Sequence, residues 1–255
     1  MELNRIYNED CLEGMKRIPD KSVDMILCDL PYGTTSSKWD EIIPFEPLWR
    51  QYDRVIKNNG AIVLTASQPF TTKLIMSKSD WFRYTYTWVW DKKKAGNIFL
   101  AKKQPMKIHE DIVVFSKKPH FYNPQMVKRD KVKKSKNYGT GESFGGTREK
   151  EDKVYTYTHT YPKSIIEVSN ARQKGKVHPT QKPVELFEYL IKTYTNKGET
   201  VLDNCMGSGT TAIACMNTNR NYIGFELDKT YYEKSLERIK NHATQNELFD
   251  VLEGN

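Results

Sequence analysis

The residues best suited to chemistry in this sequence follow one short apolar run. The run Val23–Cys28 is rich in strand-forming residues and ends at Asp29-Leu30-Pro31-Tyr32-Gly33. It predicts a buried parallel strand, and ligand sites in open α/β sheets lie beyond the carboxyl ends of such strands. Pro31 removes a backbone donor and pushes Leu30 towards extended geometry. A carboxylate, a carbonyl outside regular structure and an aromatic ring then lie together, which suits binding of a planar ring that carries an amine.

The tetrapeptide Asp29-Leu30-Pro31-Tyr32 resembles the catalytic motif of the amino-methyltransferases of DNA, which reads Asp/Asn/Ser-Pro-Pro-Tyr/Phe. Leu30 departs from that motif at its second position. In the family this position acts through its backbone carbonyl, which Leu30 retains. The resemblance implies that Asp29 and the Leu30 carbonyl accept hydrogen bonds from an exocyclic amine, while Tyr32 stacks on the base.

A second block, Lys176–Pro183, reads Lys-Val-His-Pro-Thr-Gln-Lys-Pro and precedes a helix predicted over 184–195. Pro183 suits the first turn of that helix. Hydroxyl, amide and ammonium donors near a helix N-terminus suit an anion. The block resembles the family's cofactor-binding motif, which implies contacts to the carboxylate of S-adenosyl-L-methionine. The residues concerned are His178, Thr180, Gln181 and Lys182.

A third block combines a predicted strand over 199–203, a glycine loop over 204–209 and a helix that begins at Thr210. Glycines let the backbone approach a ligand closely, and helix N–H groups favour an anion. The next predicted strand ends at Glu226, at a distance from the loop where an acid binds ribose hydroxyls. The loop lacks the third glycine of the dinucleotide fingerprint, which disfavours NAD.

The same loop resembles the family motif Asp-Pro-Phe-x-Gly-Ser-Gly-Thr-Thr, with Cys205 in place of the phenylalanine. For Asp10, at the end of a predicted strand over 3–8, two roles stay open. It can cap a helix predicted over 12–18, or contact the adenine or ribose of the cofactor. The predicted cofactor contacts outside the second block are Asp10, Asp29, Asp203, Cys205, Met206, Gly207, Ser208, Gly209, Thr210, Thr211 and Glu226.

A shorter likeness involves His109–Phe115, which resembles the family's block beside the target-base pocket. Within it, His109 is a candidate site residue, although a lone histidine has many structural uses.

Length and composition indicate one α/β core in a chain of 255 residues. No apolar run is long enough to cross a membrane, and the N-terminus lacks the features of a signal peptide. Four cysteines form no Cys-x-x-Cys pair, so we expect free thiols and no zinc site. These features predict a cytoplasmic protein without a membrane partner, and the resemblance implies a bacterial or phage origin.

Positive charge is concentrated in residues 117–176, which contain 15 Lys and Arg but only 6 Asp and Glu. The remaining chain is nearly neutral. Such a segment can be solvated surface, and its part over 128–150 can be disordered without a ligand. Interleaved tyrosines and glycines, with a strand-like alternation over 154–160, favour a nucleic-acid partner that orders it. The resemblance places the target-recognition region here.

The catalytic motif precedes the cofactor motif, with the basic segment between them, an order that resembles the beta group of DNA amino-methyltransferases. The implied fold is α/β, a Rossmann-like doubly wound and mainly parallel sheet of the class I methyltransferase type. The predicted divisions are a catalytic half over 1–116, a target-recognition insert over 117–176, a cofactor-binding half over 177–243 and a C-terminal tail over 244–255. Adjacent central strands would bring Asp29 close to Gly207.

The predicted function is transfer of the methyl group of S-adenosyl-L-methionine to the N6 amine of a flipped-out adenine in double-stranded DNA. Three alternatives stay open: the N4 amine of cytosine, methylation of RNA or protein glutamine, and a catalytically silent DNA-binding subunit. The resemblance also allows a homodimer and a cognate restriction endonuclease as partners, and the sequence leaves both open.

Overall fold

The computed structural model describes residues 1–35, 37, 40–137, 151–170 and 181–253. In chain order the strands are β1 (Arg5–Tyr7), β2 (Val23–Cys28), β3 (Ile56–Ala66), β4 (Tyr86–Gly96), β5 (Lys107–Phe115), β6 (Val127–Asn137), β7 (Glu151–Thr160), β8 (Ile165–Glu167), β9 (Thr200–Asp203) and β10 (Asn221–Phe225). The α-helices are α1 (Cys11–Met15), α2 (Phe45–Val55), α3 (Phe70–Met76), α4 (Val184–Tyr194), α5 (Thr210–Thr218) and α6 (Lys229–Glu253). Short 3₁₀ turns cover Ser79–Tyr84 and Ile98–Leu100.

Eight of the strands form one sheet in the order β1-β10-β9-β2-β3-β5-β4-β8. Every neighbouring pair is parallel except the two pairs that β5 makes, with β3 and with β4. The predicted mainly parallel, doubly wound sheet is therefore confirmed.

Both faces of the sheet are covered by helices, because the central strands bury apolar residues on both sides. Along β2, Ile26 and Cys28 pack with α1, α2 and α3 on one face. Met25 and Leu27 face the other side and pack with α4 and α5. Alternate residues of a strand point to opposite faces, so a continuous apolar run supplies two cores at once. Within the described residues, no helix combines the length and apolar character needed to cross a bilayer.

The centre of the sheet positions the predicted motifs. β2 lies between β3 and β9, with Ile26 opposite Leu202 and Cys28 opposite Leu64. The segments that follow β2, β3 and β9 consequently leave the sheet at one edge. The predicted adjacency of the N-terminal strands and the strands after residue 199 is correct.

The remaining strands form a separate compact unit over 124–163. There β6 and β7 pair as an antiparallel hairpin, with Lys133 opposite Tyr157 and Ser135 opposite Tyr155. The alternation predicted for 154–160 is one arm of this hairpin. Its other arm was missed because lysine-rich β6 has low strand propensity and is identified only by its partner.

Three boundaries differ from the sequence predictions. The compact unit is narrower than the predicted insert over 117–176, because residues 117–123 and 164–170 belong to the larger unit, where β8 pairs with β4. Ile166 and Val168 are buried, which explains that assignment. The sequence did not reveal β8, because three strand residues are too few to show a periodic pattern. The amphipathic pattern over 228–241 predicts a last helix, which continues to Glu253 into the predicted tail. Alternating aromatic residues over 83–90 predict a strand, which begins at Tyr86.

Candidate functional site

A carboxylate at the end of β2 is the centre of a hydrogen-bonded group. Asp29 Oδ1 accepts hydrogen bonds from the Tyr32 hydroxyl at 2.9 Å and from the Thr65 hydroxyl, and Oδ2 accepts one from Lys182 Nζ at 2.6 Å. Three elements supply these donors, since Thr65 lies in β3 and Lys182 precedes α4. We call Asp29, Tyr32, Thr65, Glu110 and Lys182 the Asp29 cluster.

Lys182 is the buried cation of this cluster, and its side chain is 7% exposed. Its ammonium lies 2.6 Å from Asp29 and 3.5 Å from Glu110 Oε2. Burial by itself lowers the pKa of a lysine, but attraction to Asp29 and Glu110 outweighs it and leaves the pKa of Lys182 raised. Glu110 Oε1 also accepts a hydrogen bond from Lys92 at 3.2 Å. The carboxylates of Asp29 and Glu110 therefore lie together with two ammonium groups beside β5.

Tyr32 presents one ring face to the core. Its ring stacks on Phe70 with centroids 5.1 Å apart and planes inclined by 23°. Burial, with Asp29 and Glu110 nearby, raises the pKa of Tyr32, so the hydroxyl stays a donor to Asp29. Among the described residues, no donor is hydrogen-bonded to the Leu30 carbonyl. The carbonyl and the Asp29 carboxylate are thus acceptors within two consecutive residues.

The loop after Pro31 is held by a single carboxylate. Asp40 accepts four backbone N–H bonds, from Tyr32, Gly33, Thr34 and Thr35, at 2.8, 2.9, 2.9 and 2.6 Å. Burial opposes ionisation of Asp40, yet these hydrogen bonds outweigh it and the pKa is lowered. This role of Asp40 was missed by the sequence analysis, because Asp40 follows a polar stretch without a motif.

Asp40→Ala is expected to destabilise the fold by about 1–3 kcal/mol, since four amides lose their acceptor. The lowered pKa of Asp40 means that its contribution is present above the ordinary value of 3.8 and is lost as pH falls through the folded value. Urea unfolding at pH 7 measures the difference, and Asp80→Ala, at an exposed carboxylate, is the control. Equal midpoints for Asp40→Ala and the wild type would contradict this assignment.

The glycine loop between β9 and α5 uses left-handed backbone at Gly207 and Gly209, with φ of +53° and +76°. The Gly207 N–H donates to Glu226 Oε2 at 2.7 Å, so the loop and the end of β10 are joined. Burial raises the pKa of Glu226. A Cβ added at Gly207 would meet nothing closer than the Cys205 carbonyl at 3.9 Å. The space beside Gly207 is open to a ligand.

Two side chains from neighbouring elements, one in β9 and one in α6, hydrogen-bond to this loop. Asp203, 3% exposed, accepts hydrogen bonds from the Thr211 hydroxyl and, at 3.0 Å, from the Cys205 N–H. Burial raises the pKa of Asp203 to about 6. From α6, Arg238 donates to the Ser208 carbonyl at 2.9 Å and to the Thr210 hydroxyl at 3.0 Å. Asp203 and Arg238 hold the loop in position.

Asp10 has the capping role that the sequence left open. Its carboxylate accepts hydrogen bonds from the N–H groups of Leu12 and Glu13 at 2.8 and 3.2 Å, at the start of α1. Asp10 also lines the cavity described next, so a contact to a ligand remains a prediction.

A cavity of about 1380 Å³ joins these groups at one edge of the sheet. The predicted site residues that line it are Asp10, Asp29, Leu30, Pro31, Tyr32, Gln181, Lys182, Asp203, Cys205, Met206, Gly207, Ser208, Thr210, Thr211 and Glu226. Gly209 is absent from this lining and shapes the loop instead. His178 and Thr180 lie outside the described residues. The predicted closeness of the catalytic and glycine-loop motifs is thus present as a shared cavity.

Several cavity residues were missed by the sequence analysis. The prediction singled out His109, which is exposed, whereas its neighbour Glu110 enters the cavity. Alternation along β5 could have shown that residues 109 and 110 point to opposite faces. Ser67, Gln68 and Lys107 also line the cavity.

Comparison with known proteins gives a consistent result. A family model described as DNA methylase, for N6 and N4 methyltransferases, matches residues 23–237. Type II methyltransferase M.HpaI of Haemophilus parainfluenzae is 26% identical over 246 residues, covering 92% of this chain and 74% of that protein. DNA adenine methyltransferase YhdJ of Escherichia coli (strain K12) is 25% identical over 264 residues, covering 98% and 88%.

A solved structure described as an M1.HpyAVI–SAM complex has the same fold. Its TM-score to this chain is 0.60 at 22% identity, covering 92% of this chain and 98% of that one. The eight-stranded sheet with helices on both faces is therefore the class I methyltransferase fold.

Proposed function

This chain belongs to the DNA methylase family of N6 and N4 methyltransferases, and from that membership we propose that it methylates the N6 amine of adenine in duplex DNA. S-adenosyl-L-methionine is the methyl donor of the family, and when bound it supplies an electrophilic methyl group. The observation that carries the proposal is the Asp29 carboxylate beside the Leu30 carbonyl, in one cavity with the glycine loop.

Two acceptors match the needs of an aromatic amine. The lone pair of that nitrogen is delocalised into the ring, which makes it a poor nucleophile. Asp29 Oδ2 accepts one hydrogen bond, from Lys182, and a carboxylate oxygen has room for a second. If Asp29 and the Leu30 carbonyl each accept one N–H, the nitrogen is held pyramidal with its lone pair directed away from them. Asp29 is also the carboxylate placed to accept the proton that the amine loses.

The glycine loop and Glu226 are the residues that would hold the cofactor. The open space beside Gly207 accommodates a ligand close to backbone, and N–H groups at the start of α5 favour its carboxylate. Each oxygen of Glu226 accepts one backbone N–H, from Gly207 and Asp228. One further acceptor site on each oxygen is then available for ribose hydroxyls.

Gly207→Ala is expected to weaken the binding of S-adenosyl-L-methionine about ten-fold while the fold loses about 1 kcal/mol. The methyl group would occupy open cavity space, and the stability loss comes from the positive φ alone. Gly198→Ala is the matched control, because Gly198 has φ of +81°, no atom within 4 Å of an added Cβ and no place in the cavity lining. Calorimetric titration measures binding, and equal affinities in the two variants would contradict this role.

A base inside a duplex cannot reach a carboxylate that lines a cavity, so the target base must leave the stack. Unstacking costs a few kcal/mol, which stacking in the pocket offsets in part. Phe70 covers one face of the Tyr32 ring, and we propose that the flipped base stacks on the other face. Asp29 and Tyr32 thereby act on the same flipped base.

We propose that the hairpin of β6 and β7 recognises the DNA sequence around the target base. Residues directly opposite on paired strands share a face, so Lys133, Tyr155 and Tyr157 lie together on one side of the hairpin. Their tyrosine rings are 6.4 Å apart. A two-stranded ribbon fits the major groove, and a basic and aromatic face supplies contacts to phosphates and base edges.

The decisive experiment supplies mixed-sequence duplex DNA with S-adenosyl-L-methionine labelled in its methyl group, followed by digestion and mass analysis of nucleosides. We expect labelled N6-methyladenine. Labelled N4-methylcytosine would show the same chemistry acting on cytosine instead of adenine, an alternative that the family includes. No labelled nucleoside, with cofactor binding intact, would favour RNA, protein glutamine or a catalytically silent DNA-binding subunit.

Two further partners stay predictions. A homodimer is tested by sedimentation of the purified chain. A cognate restriction endonuclease is tested by asking whether DNA methylated by this chain resists a co-purified nuclease.

A further inference from the structure

The turn between β4 and β5 exposes three consecutive apolar side chains. Phe99 is 97% exposed, and its neighbours Ile98 and Leu100 are 68% and 39% exposed. The turn is nonetheless an ordered element: Leu100 N donates to the Asn97 carbonyl at 3.0 Å and Ala101 N to the Ile98 carbonyl at 3.1 Å. A fully exposed phenylalanine loses the favourable free energy that burial of its ring would give. We call residues 97–103 the apolar turn.

The apolar turn stands at the mouth of the cavity. Gly96, the last residue of β4, and Asn97, the first residue of the turn, line the cavity, and so does Lys107, the first residue of β5. Gly96 is paired with Lys107 across the two strands. The turn is therefore attached to the wall that contains Glu110 of the Asp29 cluster.

Positive charge surrounds the apolar tip. Lys94, Lys102 and Lys103 are exposed, and no acidic group of the described residues forms an ion pair with any of them. Lys93, by contrast, is paired with Asp91 and Glu167. An apolar tip among free ammonium groups matches duplex DNA, which offers stacked bases between rows of phosphates.

We propose that the apolar turn inserts Phe99 into the base stack of duplex DNA next to the target base, while Lys94, Lys102 and Lys103 contact phosphates. This inference rests on the proposed function. Side chains of this type are used as wedges between base steps, and here the wedge would replace stacking that the flipped base loses. A second copy of the chain fits less well, because three residues are too small for a stable interface and the lysines would repel.

The test compares single-turnover methylation by the wild type and by Phe99→Ala on two duplexes that contain the mapped target site. In one duplex the target base is paired, and in the other it faces an abasic site, where unstacking is easier. We expect Phe99→Ala to be about ten-fold slower or more on the paired duplex, from the lost stacking. On the abasic duplex it should be within about two-fold of the wild type. Met76→Ala, at an exposed apolar residue of α3, should match the wild type on both.

Equal slowing on both duplexes would overturn the inference, because Phe99 would then act in the pocket or on the fold. Wild-type rates on both would overturn it as well, as would a change in sedimentation of the free protein, which would assign the turn to self-association. A wild type that methylates no duplex would overturn the proposed function and this inference with it.

Discussion

Asp29→Ala is expected to abolish methyl transfer while leaving the binding of S-adenosyl-L-methionine largely intact. The variant loses both carboxylate oxygens that can accept the N–H of the target amine and the proton that leaves it. Removal of a preorganised group of this kind costs about 10³-fold in turnover. The glycine loop and Glu226, which would hold the cofactor, form their hydrogen bonds without Asp29.

Two measurements separate chemistry from binding in that variant. Single-turnover transfer of labelled methyl groups gives the chemical rate, and calorimetric titration gives cofactor affinity. Asp29→Asn is the matched control for shape, because it keeps one acceptor oxygen and removes the charge, so we expect an intermediate rate. Turnover of Asp29→Ala within ten-fold of the wild type would remove Asp29 from the proposed site.

The sequence predicted the parts of this site that depend on local pattern. The apolar run of β2, the glycine loop and the acid after β10 each stand in one contiguous segment, and parallel strands place their carboxyl ends together. Three motifs in the right order were therefore enough to predict one cavity at one sheet edge. Asp10, Asp29 and Glu226, each predicted at the end of a strand, all line that cavity.

The parts that were missed depend on contacts between distant segments. Lys182 and Asp29 are 153 positions apart, and the motif alone assigned the ammonium to the cofactor carboxylate. Thr65 stands in no motif, yet its hydroxyl donates to Asp29. Arg238 was missed because its partners are a carbonyl and hydroxyls of another segment. Side-chain pairing of this kind has no periodicity for a sequence to display.

The apolar turn shows a second limit of sequence analysis, which concerns exposure of side chains and not their pairing. A sequence pattern could not reveal that Ile98, Phe99 and Leu100 are exposed, because three apolar residues after a strand usually continue a core. Only the pairing of Gly96 with Lys107 places them beyond the end of the sheet.

Lys182→Met is expected to slow methyl transfer about 10²-fold and to destabilise the fold by about 3 kcal/mol. The buried ammonium holds Asp29 Oδ2 at 2.6 Å and lies 3.5 Å from Glu110 Oε2, an oxygen without a hydrogen-bond partner among the described residues. Without this cation, Glu110 keeps Lys92 but Asp29 loses its ammonium partner, and the weaker compensation of two neighbouring carboxylates favours protonation of one of them. A protonated Asp29 would be a weaker acceptor for the amine.

The pH dependence of this effect has a definite sign. Because the pKa of Lys182 is raised in the folded protein, its stabilising contribution is fully present below the ordinary value of 10.5. That contribution is lost only as pH rises through the folded pKa. The difference in unfolding free energy between the wild type and Lys182→Met should accordingly stay constant between about pH 7 and pH 9.

Kinetics distinguish the two roles available to Lys182. If the ammonium positions Asp29, Lys182→Met lowers the single-turnover rate with little change in cofactor affinity, and the acidic limb of its pH–rate profile moves to higher pH. If it binds the cofactor carboxylate, as the sequence motif predicts, affinity falls more than the rate does. Lys182→Arg should recover much of the rate, because it retains the charge. Lys192→Met, at a half-exposed lysine of α4, is the control for removing a lysine ammonium elsewhere. An equal decrease in the methylation rate of that variant would contradict a special role for Lys182.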